Sequence, residues 1–69
     1  MVQFTDEFGA RIWLVAQTIK YFKENVGYMA QNHKNANSVV ENIYGDIFYL
    51  QDTCEEICER LFGKEGTQE

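Results

Sequence analysis

The sequence predicts an all-α fold, an antiparallel helical hairpin of two long heptad-patterned helices. Two observations predict it: an apolar repeat whose spacing alternates between three and four residues, and a polar break in the middle of that repeat. The repeat has sixteen a and d positions between Phe8 and Leu61, and fifteen of them are apolar. In a chain that is 45% hydrophobic, this regularity favours helices whose apolar stripes pack against each other.

The break and the ends of the repeat place the two helices. Residues 32–38 are Asn-His-Lys-Asn-Ala-Asn-Ser, which are weak helix formers. Residues 38–41 have the form of a capping box, residues 5–7 place acidic side chains in a first helical turn, and Gly63 is a stop signal. The expected single domain therefore has helix one at about 6–33, a turn at about 34–37, helix two at about 38–62 and a disordered tail at 64–69.

Charge and hydropathy narrow the classes of partner. Six basic and eleven acidic residues give a net charge of −5, which argues against direct binding of nucleic acid or of an anionic membrane. No apolar run is long enough for a membrane helix, and residues 1–7 lack the basic start of a secretory signal. We therefore expect a cytoplasmic protein with no membrane partner.

The candidate chemical groups are few. Cys54 and Cys58 are four residues apart, a poor spacing for a disulfide within a helix, and are expected to be buried apolar residues; a metal or cofactor site at this pair is the alternative. His33 is expected beside the turn, with no partner at metal-ligand spacing. The sequence contains no nucleophile with a base and an orienting group, and no phosphate-binding loop. It predicts a non-enzymatic protein with no catalytic, cofactor-binding or metal residues.

A second apolar stripe on the helical wheel predicts self-association. A hairpin of this length has a small core, and bundles of this size usually add helices by forming oligomers. A two-fold homodimer would bury the stripe and make a four-helix bundle. The self-association residues predicted on this stripe are Trp13, Ala16, Ala30, Tyr44, Phe48 and Phe62.

The opposite flank and the acidic second helix are the candidate partner-binding surfaces. Residues 1–35 carry a net charge of +1 and residues 36–69 carry −6, so helix two is acidic and suits a basic surface. Tyrosine combines a large apolar ring with a polar tip, which favours recognition surfaces. The predicted partner-binding residues are Leu14, Tyr21, Tyr28, Tyr49, Asp52, Glu55, Glu56 and Glu59. Which of the two flanks serves self-association stays open.

These surfaces predict an acidic protein-binding module that docks on another protein. By analogy with a class of small acidic proteins, we expect an inhibitor or regulator of the kind carried by phages and mobile elements, including anti-defence proteins, which block a working surface of a host protein. The alternative is a structural subunit of a larger coiled-coil or helical-bundle assembly.

Overall fold

The protein is mostly β. The structure, a computed structural model, describes residues 1–66, and this part of the chain contains five strands and one α-helix. The elements are β1 (Val2–Thr5), β2 (Arg11–Leu14), β3 (Ile19–Glu24), β4 (Ser38–Asn42), β5 (Ile47–Leu50) and α1 (Cys54–Gly66). Short 3-10 helices occupy Ala16–Thr18, between β2 and β3, and Tyr28–Asn32, between β3 and β4.

The prediction of an all-α helical hairpin is therefore wrong, and the predictions of a coiled coil and of a four-helix bundle are wrong for the same reason. Residues 6–33, assigned to helix one, contain β2 and β3. Residues 38–62, assigned to helix two, contain β4 and β5, and only residues 54–62 of that range are helical. Of the tail predicted at 64–69, residues 64–66 belong to α1, and residues 67–69 lie outside the described residues.

The capping box lies at a different place from the one predicted. Ser38 belongs to β4, where it is fully buried and its Oγ makes no hydrogen bond within the described residues. The true capping box starts α1: the Thr53 amide donates to Glu56 Oε1 at 2.8 Å, and the Glu56 amide donates to Thr53 Oγ1 at 3.2 Å. Because the same residue types occur in both segments, the short motif alone does not distinguish a strand from a helix start.

The strands form two antiparallel sheets that join at one edge. β1 pairs with β2, and β4 lies between β3 and β5 in the larger sheet. At the junction, the Gln51 amide donates to the Thr5 carbonyl at 2.8 Å, and the Glu7 amide donates to the Tyr49 carbonyl at 3.0 Å. The end of β1 therefore lies alongside the end of β5.

Two β-hairpin loops, at residues 6–10 and 42–46, are built in the same way. In the first loop, Asp6 Oδ1 accepts hydrogen bonds from the amides of the third and fifth loop residues, both at 2.9 Å. In the second loop, Asn42 Oδ1 accepts the two corresponding bonds, at 3.0 and 2.9 Å. The fourth residue is Gly9 or Gly45, with φ of 90° and 88°. This backbone region disfavours other residues, so the Asp-x-x-Gly and Asn-x-x-Gly sequences specify these loops.

One small core lies between the sheets and α1. Phe4, Val40, Leu50 and Ile57 are fully buried and form its centre. Seven partly buried apolar residues pack around them: Val2, Ile12, Leu14, Ile19, Phe22, Phe48 and Leu61. The core uses one face of the larger sheet, and the opposite face is only partly covered, because Val39 is buried there whereas Tyr21 and Ile47 are exposed.

A polar cluster fastens α1 to the N-terminal hairpin. Asp52 is buried, accepts a bond from the Thr5 amide at 2.7 Å and pairs with the Arg60 guanidinium. Arg60 also donates to the Gln3 carbonyl at 3.0 Å and lies over the Phe4 ring, 5.8 Å from its centroid. The carboxylate and the guanidinium therefore satisfy each other at the edge of the core.

Candidate functional site

The candidate site lies on the face of the larger sheet that points away from the core. Side chains alternate between the two faces of a strand, and cross-strand partners share a face. The partners Phe22, Val40 and Phe48 belong to the core side. The neighbouring rows therefore form the outer face, with Tyr21, Glu41 and Ile47 in one row and Lys23, Val39 and Tyr49 in the next.

Two adjoining cavities open on this outer face. The first has a volume of about 250 Å³, and its lining includes Tyr21, Tyr28 and Tyr49. The second has a volume of about 310 Å³ and lies at the edge of the sheet formed by β5, where Phe8 of the β1–β2 loop and the core-side residues Ile12 and Phe48 line it. Both cavities are lined by Ile47 and Tyr49, so they lie next to each other along β5. We call the two cavities together the aromatic groove and define it by Phe8, Tyr21, Tyr28, Ile47 and Tyr49.

Large apolar side chains of the groove are exposed to solvent. Phe8 is 85% exposed and Tyr28 is 80% exposed, while Tyr21 and Ile47 are exposed to a smaller degree. Single exposed apolar residues are ordinary on protein surfaces. A contiguous set that borders a concave surface is more informative, because such patches mark interaction sites.

A side-chain cluster holds Tyr49 in the floor of the groove. The His33 ring stacks on the Tyr49 ring with centroids 3.5 Å apart and an interplanar angle of 6°. His33 Nδ1 lies 2.9 and 3.0 Å from the two carboxylate oxygens of Glu7. Glu7 of the β1–β2 loop thus holds His33 against the Tyr49 ring on β5, and this contact fixes the position of the Tyr49 ring.

Asn25 shapes the end of the groove where Tyr28 lies. Its Nδ2 donates to the His33 carbonyl at 2.9 Å and to the Ala36 carbonyl at 3.0 Å. Its backbone amide donates to the Asn37 carbonyl at 3.2 Å. One side chain therefore closes the β3–β4 connection, which carries Tyr28 in a 3-10 helix against the outer face of the sheet.

Tyr21 is tied to a carboxylate on the neighbouring strand. Its hydroxyl donates to Glu41 Oε1 at 2.6 Å. This hydrogen bond, with smaller contributions from partial burial and from the negative charge of Glu41, raises the pKa of Tyr21 above its ordinary value of 10.0. The neutral phenol is therefore favoured in the folded protein.

We expect Glu41→Gln to lower the pKa of Tyr21 back toward 10.0, because both the acceptor and the negative charge weaken. The measurement is an ultraviolet titration of tyrosinate absorbance, with the Tyr21→Phe variant used to isolate this residue. Since folding raises this pKa, its contribution to stability is complete below pH 10.0 and is lost as the pH rises through the folded-state value. An unchanged Tyr21 titration in Glu41→Gln would contradict the hydrogen bond; Glu59→Gln on α1 is the control and leaves the titration unchanged.

The structure distributes the residues predicted for partner binding over three places. Tyr21, Tyr28 and Tyr49 come together around the aromatic groove, as neighbours on and beside strands instead of as a helical stripe. Leu14 packs against the core, and Asp52 is buried in its pair with Arg60. The remaining three acidic residues, Glu55, Glu56 and Glu59, lie exposed on α1.

The residues predicted for self-association lie on six different elements. The helical face that grouped them does not exist in a β structure, and Phe48 packs against the core. Trp13, Tyr44 and Phe62 are exposed on β2, in the β4–β5 loop and on α1. Ala16 and Ala30 lie in the two 3-10 helices.

Sequence reasoning missed Phe8, Ile47 and the pair of Glu7 with His33. Phe8 and Ile47 were assigned to the apolar repeat at the contact between the two predicted helices. Glu7 and His33 are 26 positions apart, and no short motif reveals a pair at that separation. The available signal was the pair of Asp-x-x-Gly and Asn-x-x-Gly turns, which predict hairpins and would have placed Phe8 at a loop tip.

The cysteines differ from the expectation that both are buried. Cys54 and Cys58 are half-buried free thiols on α1. Partial burial, followed by the nearby charges of Glu24 and Glu55, raises the pKa of the Cys54 thiol above its ordinary value of 9.0, which lowers the reactivity of this thiol. Within residues 1–66, no group of three or more histidine, cysteine or acidic side chains is placed to hold a metal ion.

Comparisons of the chain with protein-family models, with curated proteins and with solved structures found no match. In the part of the chain that the structure describes, no helix has the length and apolar character needed to span a membrane. The groove is a concave, largely aromatic surface of two adjoining cavities, bordered by carboxylates.

Proposed function

We propose that this chain is a non-enzymatic protein-binding module that docks a segment of a partner protein in the aromatic groove. The observation that carries the proposal is the set of three tyrosines that surround one cavity on the outer face of the sheet. Tyrosine is enriched among the residues that dominate binding energy at protein interfaces, since it buries a large ring at a small cost in side-chain entropy.

The way the groove is held supports this proposal. The stack of His33 on Tyr49, its pairing with Glu7 and the ties made by Asn25 fix the walls of the groove before any partner arrives. A surface that is already ordered loses less entropy on binding. We therefore expect a partner to bind without a large rearrangement of the sheet.

The chemistry near His33 also favours binding over catalysis. Its Nδ1 is engaged by Glu7, and among the described residues no serine, threonine or cysteine side chain hydrogen-bonds to the ring. A nucleophile beside the imidazole is what a hydrolytic site would need. We therefore propose that the Glu7–His33 pair positions Tyr49, and that the chain acts on its partner by occupying a surface, as an inhibitor or regulator does.

The test is a selection of short random peptides against the folded chain, with binding sites mapped by amide chemical shifts of the isotope-labelled protein. We expect selected peptides to shift amides of β3 and β5 on the groove face, and to bind Tyr28→Ala about tenfold more weakly or worse. Tyr28 is 80% exposed, so this change leaves the fold intact.

Tyr44→Ala is the matched control, because Tyr44 is 73% exposed at a loop tip and lines neither cavity of the groove. We expect it to bind the same peptides with unchanged affinity. Selected peptides that bind Tyr28→Ala and the unaltered chain equally well, or a selection that yields no peptide shifting groove amides, would refute the proposal.

A further inference from the structure

We infer that the segment held in the aromatic groove is cationic, an extended stretch of chain that places an arginine or lysine side chain against the tyrosine rings. This inference rests on the proposed function and adds the chemistry of the partner. It is carried by two independent properties of the groove, the excess of carboxylates at its rim and the grouping of three tyrosines around one cavity.

The charged groups around the groove are mostly carboxylates. Asp6 and Glu7 line one cavity, and Glu41 borders the same face through its bond to Tyr21. Among the described residues, Lys23 is the one lysine or arginine that lines either cavity. Three carboxylates against one ammonium attract a cationic segment and repel polyanions, in line with the net charge of −5 of the whole chain.

The tyrosine rings supply the second half of a site for a cation. A guanidinium or ammonium group is attracted to the face of an aromatic ring within about 6 Å of its centroid. This chain already uses that combination once, since Arg60 lies 5.8 Å from the Phe4 centroid and pairs with the carboxylate of Asp52. The groove offers the same two partners, rings and carboxylates, on a surface open to another molecule.

The dimensions of the groove favour an extended segment. Its two cavities, of about 250 and 310 Å³, are at or below the lower end of the range of about 300–1,000 Å³ found for small-molecule pockets. They adjoin at Ile47 and Tyr49, so each suits one side chain of a continuous peptide. In an extended chain, alternate side chains point to the same side and repeat every ~6.6–6.8 Å, which allows neighbouring pockets to be filled together.

The experiment uses the same random-peptide selection and examines the composition of those peptides that lose affinity for Tyr28→Ala. We expect them to be enriched in arginine and lysine, and to weaken about tenfold when their basic residues are replaced by glutamine. Glu41→Gln should weaken the basic peptides severalfold, and added salt should weaken them further, since the attraction is screened. The glutamine-substituted peptides should be insensitive to both changes.

Three results would overturn the inference in distinguishable ways. Groove-dependent peptides without basic residues would refute the cationic partner and leave the proposed function standing. If the affinity of basic peptides is unchanged by Tyr28→Ala and is lowered by Glu55→Gln and Glu59→Gln, the cationic segment binds to α1 and not to the groove. A selection with no groove-dependent peptide would refute both the inference and the proposed function.

Discussion

Replacing Phe4 with alanine is expected to lower the free energy of unfolding by about 3–5 kcal/mol. Phe4 is fully buried at the centre of the core with Val40, Leu50 and Ile57. A domain of 69 residues has a total stability of about 3–10 kcal/mol, so the variant should be largely unfolded or close to its midpoint. Urea denaturation followed by circular dichroism measures the difference.

Phe8→Ala is the matched control for this experiment. Phe8 is 85% exposed at the tip of the first hairpin, and its loss should change the free energy of unfolding by less than about 0.5 kcal/mol. In the helical hairpin, Phe8 would be a core d position and Phe4 would precede the helix. A large loss of stability in Phe8→Ala together with a small loss in Phe4→Ala would therefore contradict the β fold.

The second large effect is expected at Arg60. Arg60→Ala leaves the buried carboxylate of Asp52 without its cation and removes the guanidinium from the Phe4 ring. Losing one partner of a fully buried pair costs about 3–5 kcal/mol. Because Arg60 is 43% exposed, water screens part of this effect, and we expect a loss of about 2–3 kcal/mol.

The measurement is again urea denaturation, with Arg11→Ala as the control. Arg11 is an exposed arginine at the start of β2, and its removal should cost less than about 0.5 kcal/mol. If the cost of Arg60→Ala arises from an unpaired charge, it should be smaller when Asp52 is already asparagine. An equal cost in both backgrounds would show that Arg60 acts through its contacts with Phe4 and the Gln3 carbonyl, and not through the charge of Asp52.

The apolar repeat misled the fold prediction because it was tested only against the helical period. In β4 and β5 the a and d positions are Val40, Ile47 and Leu50, which belong to short apolar runs that are equally typical of strands. The contrary signals were Gly9 and Gly45, which fall inside the predicted helices, where each would cost about 1 kcal/mol. Both follow an Asp or Asn by three residues, and the structure places both at hairpin turns.

The helix was predictable only in part. Residues 54–62 are acidic in their first turn and end near Gly63, where the backbone reaches a φ of 74° and α1 kinks. Its true start at Thr53 was hidden, since the predicted helix already ran through that position. The capping box at Thr53 and Glu56 is visible in the sequence once the helix is no longer extended back to Ser38.

The helical wheel grouped Tyr21, Tyr28 and Tyr49 with Leu14 on one flank. The structure places the three tyrosines around one cavity and packs Leu14 against the core, and partner binding by the tyrosines stays a prediction. Asp52 was singled out for its charge alone and is buried. Side-chain chemistry is a property of the residue itself, whereas exposure depends on the register of strands, which the helical wheel could not supply.

The junction between the ends of β1 and β5 has a consequence for how the chain folds. The bond from the Thr5 amide to Asp52 spans 47 residues, and the bond from Arg60 to the Gln3 carbonyl spans 57. Closing such long loops costs entropy before any contact is gained, so folding should be slower than in a helical hairpin of equal length. During synthesis on the ribosome, β1 cannot form its bonds to Asp52 and Arg60 until residues 52–60 have emerged.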